Sequence, residues 1–496
     1  MMKIPLFAPL REPWKPRKYQ LNGVKFLLEH ACGALFFRPG LGKTSATLAA
    51  IKFLKSRGLI HKVLIIAPRR ACYLVWPKEL ERWSDFSGLT MEVLHGADKD
   101  AALRRKADIY VINPEGLPWL LKVEKSVGYA GKKKVTVDVK RFAALGFDTL
   151  VIDELSKFKH PKTLQFKSLK HVLPTFRRRW GLTGTPTANG LLDLFGQCYV
   201  LDIGNALGPY ITHFKNTYFT AADRFGFKLV PQAGAEERIY ARLAPLVLQM
   251  TEDDYLELPE QVVNDILVDL PDAARVIYTG LEDELFAQID AKVVTAANTA
   301  VAAMKCRQLA AGGVYIDPAE QLGGRFLKGV RDWSQVHTAK MDALAELVDE
   351  LQGAPLLVAY DFQHDLVRAR RQFGKDVPVL GGVTSDKEAA RIEGAWNAGK
   401  LPLLFGHPQS MGHGLNMQGA GCNVCWLTPT WNYELYDQFI RRVLRQGNKH
   451  PQVFVHHILA RDTVDIAVMR ALRGKAAGQR ALFDALKTLQ NERQAL

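Results

Sequence analysis

Short apolar runs alternate with longer amphipathic segments through the first 200 residues. KVLIIAP (62–68), DIYVINP (108–114) and TLVIDE (149–154) are continuous apolar runs ending at turn or polar residues, the pattern of strands buried on both faces. KFLLEHA and SATLAAIKFLKS, which precede them, carry the spacing of helices. That alternation predicts a parallel sheet covered by helices. From about 200 to 335 strand runs become rare, and VIYTGLEDELFAQIDAKVVTAANTAVAAMKCRQLA reads as helix. The α/β rhythm returns near 340, with MDALAELVDELQG as a helix and PLLVAYD, LPLLFGHP and NVCWLTP as strands. The tail from about 463 is helical and of mixed charge. The predicted fold is α/β, with two parallel-sheet lobes (1–200 and 336–470), a mostly helical insert (201–335) and a C-terminal helix (471–496).

One segment stands outside this rhythm. KVEKSVGYAGKKKVTVDVK (122–140) alternates like a hairpin projecting from the sheet. Its three consecutive lysines suit contact with phosphates and a solvated tip equally well.

Composition narrows the class. The chain has 496 residues, too many for one ordinary core, so two to four domains are expected. Lys and Arg number 66 against 51 Asp and Glu, a net charge of +15, which favours a polyanionic partner over a merely solubilising surface. No run reaches the roughly 18 apolar residues of a membrane span, and the N-terminal MMKIPLFAPLREPWK lacks the features of a leader peptide. Six cysteines fit a reducing compartment, and the expected location is cytoplasmic. Cys422 and Cys425 form a lone CxxC that reads as two small buried residues rather than a zinc site.

Four motifs carry chemistry. FFRPGLGKTSATLAA places a Gly-rich turn between a strand and a helix, where backbone N–H groups and the helix dipole bind phosphate. Gly40 and Gly42 permit the tight approach, Lys43 reaches the β/γ-phosphates of ATP, and Thr44 can ligate Mg²⁺. Phe37 stands where the full phosphate-loop pattern has glycine. TLVIDELS puts Asp153 and Glu154 at the carboxyl end of a strand, Asp153 for Mg²⁺ and Glu154 for the attacking water. RRWGLTGTPTANGLLDLFGQ (178–197) is by itself a small-residue turn. WNYELYDQFIRRVLRQGNK (431–449) spaces Arg442 and Arg445 to share a helix face, and such arginines can neutralise a transferred phosphoryl group.

In this order and spacing, from about 16 to 470, the motifs resemble those of Swi/Snf-type ATPases of helicase superfamily two. The resemblance implies two RecA-like lobes with ATP between them, and translocation on double-stranded DNA. KYQLNGVKFLL resembles the entry motif and makes Gln20 an adenine contact. IIAPRRACYLVWPKELERW, with Trp76 and Trp83, resembles a segment that contacts a DNA strand, and GLTGTPTANGLLDLF resembles the coupling motif. SMGHGLNMQGAGCNVCWLTPTWN and QFIRRVLRQGN resemble the glycine-rich and arginine-finger motifs of the second lobe. Arg69, Arg70, Thr183, Gly412 and Gly414 are then the expected nucleic-acid contacts. Departures are Leu155-Ser156 after the acidic pair, Asn448 for glutamine, and Gln249-Met250 for a basic pair. The family commonly lacks the first loop glycine, so Phe37 conforms to it.

The expected activity is an ATP-driven motor that strips or remodels complexes on duplex DNA in replication, recombination or repair. It would act as a monomer, away from membranes, with replication or repair proteins as further partners. A strand-separating helicase is the second enzymatic reading, and an ATP-binding DNA scaffold the non-enzymatic one. No nuclease, zinc-binding or histone-reading motif is legible, which favours a bacterial or viral enzyme over a chromatin remodeller.

Overall fold

The computed structural model describes residues 11–127, 133–222, 229–250, 258–290, 296–316, 332–382, 384–411 and 415–494. They form two compact units, one of residues 1–256 with 477–496 and one of residues 257–476.

The first unit contains β1 (Cys32–Phe37), β2 (Val63–Ile66), β3 (Met91–Val93), β4 (Ile109–Ile112), β5 (Glu124–Val127), β6 (Lys133–Thr136), β7 (Thr149–Asp153), β8 (Arg178–Thr183), β9 (Phe219–Ala221), β10 (Leu229–Pro231) and β11 (Val247–Met250). Seven of them form one parallel sheet in the order β11-β1-β8-β7-β2-β4-β3. The strands are apolar on both sides because helices cover both faces. Ala34, Phe36, Leu64, Ile66, Leu150 and Ile152 enter one core, while Leu35, Phe37, Val63, Ile65 and Val151 enter the other.

β5 and β6 pair antiparallel, with Lys125 opposite Val135. The base of this hairpin is pinned: the Asp138 carboxylate accepts from Arg141 N–H at 2.9 Å, and Arg141 Nη1 donates to Leu120 O at 2.8 Å. Residues 128–132, the centre of the expected tip, lie outside the described residues.

The second unit contains β12 (Glu260–Val268), β13 (Gly313–Tyr315), β14 (Trp333–Gln335), β15 (Leu356–Ala359), β16 (Val379–Leu380), β17 (Leu403–Gly406), β18 (Asn423–Trp426) and β19 (Gln452–Ala460). Its parallel sheet runs β12-β19-β18-β15-β17-β16. Leu357, Ala359, Leu404 and Val424 pack on one face, and Leu356, Val358, Leu403 and Cys425 on the other.

The stretch 201–335, expected to be a mostly helical insert, divides between the units. β11 closes the first sheet against β1, and β12 is an edge strand of the second. Both hide from periodicity: Gln249 interrupts the apolar run of β11, and EQVVNDILV is an exposed edge strand carrying polar residues. The long helices there are Asp272–Asp290 and Ala296–Ala311. Past residue 476 the chain returns to the first unit, where Gln479 Nε2 donates to Gly184 O at 3.1 Å. No helix among the described residues is long and apolar enough to cross a membrane.

Candidate active site

The phosphate-loop, acidic and LTGTP segments leave three adjacent strands, β1, β7 and β8, at the carboxyl edge of the first sheet. Register fixes their level: Phe36 lies beside Thr183, and Leu182 beside Asp153. Ligands of parallel α/β sheets bind outside this edge.

The loop runs from Phe37 to the helix Lys43–Ser56. Gly40 and Gly42 hold φ of 96° and 70°, in the region that side chains avoid. A Cβ on Gly42 would stand 2.0 Å from Gln20 Nε2, so the glycine leaves room for that amide. Gln20 is itself oriented, its Oε1 accepting from Arg17 N–H at 2.8 Å. Lys43 Nζ donates to Phe37 O at 2.7 Å and Arg38 O at 3.4 Å, which curls the loop around its own cation. Only the Phe37 carbonyl serves the loop; its ring is fully buried in the core beneath the helix Lys18–Glu29. On the other side, a Cβ on Gly184 would meet Pro39 Cδ at 2.8 Å, so the LTGTP turn abuts the loop.

Asp153 ends β7, and its Oδ2 accepts from Trp76 Nε1 at 2.9 Å. Burial pushes its carboxyl above the usual range, against the Trp76 hydrogen bond and the attraction of Lys43. Burial, and secondarily the same carboxylate, push the neighbouring Cys72 thiol up to about 12. Glu154 has φ of 67°, and its Oε1 accepts from Ser156 Oγ at 2.8 Å and Thr183 Oγ1 at 3.0 Å.

These residues suit ATP and magnesium. A Thr44 hydroxyl and an Asp153 carboxyl are hard oxygen donors, and a cation beside Asp153 would oppose the burial that raises its carboxyl. The turn with positive φ at Gly40 and Gly42 has the backbone shape of an anion cradle.

The local surroundings of the other expected residues are as follows. Thr183, expected at the nucleic acid, is fully buried with its hydroxyl committed to Glu154. Trp76, expected in a nucleic-acid-contacting segment, is fully buried against Asp153, and Trp83 Nε1 donates to Glu79 at 2.8 Å. Arg442 and Arg445 share no helix. The helix Tyr433–Ile440 stops before them, because Arg442 and Val443 N–H groups reach back only three residues, to Phe439 O and Ile440 O. Arg442 Nη1 donates to Leu415 O at 2.9 Å, and Arg445 Nη1 bonds the Asn416 side chain. Asn448 ties their turn down, donating to Gly421 O at 2.9 Å and Val443 O at 3.0 Å.

Arg69 and Arg70 open the helix Arg69–Leu74 after β2, at the carboxyl edge of the first sheet, with Arg69 exposed. Gly412 and Gly414 lie outside the described residues. The sequence gives no sign of Gln479, whose contact with Gly184 joins residues 295 apart.

Comparison with known proteins identifies the family. Residues 19–311 match the SNF2-related domain. Protein p41 of Acyrthosiphon pisum secondary endosymbiont phage 1 is 32% identical over 95% of this chain and 98% of its own length. An uncharacterized ATP-dependent helicase of Mycoplasma pneumoniae is 24% identical over 90% of the chain, and the CHD3-type chromatin-remodeling factor PICKLE of Arabidopsis thaliana 22% identical over 95%. The chain spans only 40% and 34% of those two proteins. The Sulfolobus solfataricus SWI2/SNF2 ATPase core in complex with dsDNA matches over 98% of this chain and 97% of that one, at 22% identity and a TM-score of 0.41. The chain belongs to the SNF2-related family and is an ATP hydrolase of helicase superfamily two.

Proposed function

We propose that this protein is an ATP-driven translocase on double-stranded DNA that displaces or remodels complexes bound to it, in replication, recombination or repair. The observation that carries the reading is the convergence of Lys43, Asp153, Glu154 and Thr183 on one sheet edge, in a chain of net charge +15. In this reading Gln20 contacts the adenine, and the backbone at Gly40 and Gly42 holds the phosphates. Lys43 exchanges its bonds to Phe37 O and Arg38 O for phosphate oxygens. Thr44 and Asp153 would hold Mg²⁺, which would supply neutralisation of phosphate charge. Glu154 orients the attacking water, and Thr183 and Ser156 fix Glu154. Arg442 and Arg445 stabilise phosphoryl charge as it develops.

Phosphate contacts through Arg69 and Arg70, with the glycine-rich segment at Gly412 and Gly414, give grip without sequence preference, as a tracking motor requires. The enzyme works as a monomer in the cytoplasm, alongside other replication or repair proteins. A second reading, strand separation, draws on the β5–β6 hairpin, whose pinned base suits a separating element.

The test compares ATP turnover with duplex DNA, single-stranded DNA and RNA. Duplex DNA should stimulate most, and Glu154→Gln should lower turnover by about 10²–10⁴-fold while ATP still binds. Displacement of a triplex strand without duplex unwinding supports translocation; unwinding moves the assignment to the second reading. Stimulation by RNA alone would sink both.

A further inference from the structure

Trp76, Trp180, Trp396 and Trp426 are among the largest fully buried side chains. An indole N–H can only donate, so a buried one seeks an acceptor. Trp180 and Trp396 take the ordinary solution, a backbone carbonyl: His30 O at 3.0 Å and Met417 O at 2.8 Å. Trp76 instead donates to a carboxylate, and that carboxylate is Asp153. A donor on an ionised oxygen makes a stronger, more directional bond than one on a carbonyl. The placement follows from the sheet: β2 pairs with β7, Ile66 beside Ile152, so the chain leaving β2 passes the end of β7. Two short helices, Arg69–Leu74 and Trp76–Arg82, then bring the indole back to Asp153.

We propose that Trp76 is a positioning residue for the magnesium-binding carboxylate: its N–H holds Asp153 Oδ2 and thereby fixes the plane in which Asp153 meets the metal. A carboxylate free to rotate about its last torsion must be ordered each time Mg²⁺·ATP binds, whereas the indole orders it in advance. Outer partners of this kind commonly change metal affinity by 10–100-fold when removed. The inference rests on the reading that Asp153 holds Mg²⁺ with ATP.

The test is binding of a fluorescent ATP analogue titrated with Mg²⁺, set beside ATP turnover over the same range. Trp76→Phe keeps an aromatic ring and loses the donor. It should raise the Mg²⁺ concentration for half-saturation about tenfold. Analogue binding in excess chelator should stay unchanged, and most of kcat should return at saturating Mg²⁺. Trp180→Phe, a buried indole bonded to a carbonyl, is the matched control and should leave the Mg²⁺ response alone. Trp76→His retains a ring N–H and should recover part of the response that Phe loses, which separates the bond from the packing. Unchanged Mg²⁺ half-saturation in Trp76→Phe, or equal responses of the Phe and His variants, overturns the proposal. Absence of Mg²⁺-dependent analogue binding in the wild type overturns instead the ATP reading on which it rests.

Discussion

Glu154 holds a backbone conformation that a glutamate adopts at a cost, with φ of 67° directly after the last residue of β7. Such a position costs about 1–3 kcal/mol and persists where the surroundings over-determine it. Here two hydroxyls do so, Ser156 Oγ and Thr183 Oγ1, both donating to Glu154 Oε1. Thr183 Oγ1 also accepts from Thr185 N–H at 3.2 Å, so the LTGTP turn and the acidic pair form one network. Thr183→Val keeps the shape and removes the donor. It should lower kcat about tenfold with little change in the KM for ATP, because ground-state phosphate contacts lie elsewhere. A rise in KM with kcat unchanged would move Thr183 to nucleotide binding. The identities of Lys43, Asp153 and Glu154 were legible because strand, turn and charge recur locally in the chain. The partners of Glu154 and Asp153 were not, since Thr183 and Trp76 come from 29 and 77 positions away. Ser156, a departure from the family pattern by its letter, proves to be a local ligand of Glu154.

Strands buried on both faces could be read directly, and β2, β4, β7, β15, β17 and β18 all fall within apolar runs. Elements whose apolar content is short or one-sided could not, as β11, β12 and the turn after Ile440 show. The junction around β13 and β14 makes a second case, because its stability depends on an ionisable group. His337 follows β14, is buried, and its Nε2 bonds Leu309 O in the helix Ala296–Ala311 at 2.8 Å. Its Nδ1 meets no hydrogen-bond partner among the described residues, so a second ring proton would be buried without an acceptor. Burial therefore depresses its pKa from the ordinary 6.5 to about 4, aided by Arg368 and Lys340 and opposed by the Leu309 carbonyl and Asp465. For a group depressed on folding, the unfolded chain binds the proton first. The contribution is complete above 6.5 and is lost as pH falls towards about 4. Between pH 7 and pH 5 the wild type should lose roughly 1–2 kcal/mol more stability than His337→Gln. Denaturant unfolding at the two pH values checks this; equal losses would mean that His337 protonates freely in the folded protein.

At the scale of the whole molecule, the +15 charge does not say where the nucleic acid of the proposed function would be held, and only placement on the fold narrows it. Arg105 is spent on Glu92 and Asp98, Arg391 on Glu388, and Arg441 on Asp437, so these arginines are already paired within their own units. Arg69 differs in position: it is exposed at the start of the helix after β2, on the edge of the first sheet that also carries Lys43, Asp153 and Glu154. A contact there reads phosphate rather than base, because one guanidinium at a helix start recognises charge without registering a sequence. Each phosphate neutralised by a cation releases condensed counterions, so the logarithm of affinity falls linearly with the logarithm of salt. Arg69→Ala should then weaken duplex binding about equally on unrelated sequences and reduce the magnitude of the salt slope by about one. Nucleotide binding without DNA should be unaffected, since Arg69 takes no part in the Lys43, Asp153 and Glu154 network. A loss confined to particular sequences would assign Arg69 to base readout, and an unchanged slope would place the grip of the first unit elsewhere. A motor that must pass every sequence needs the first result, because any base-specific hold adds a barrier at each site it prefers.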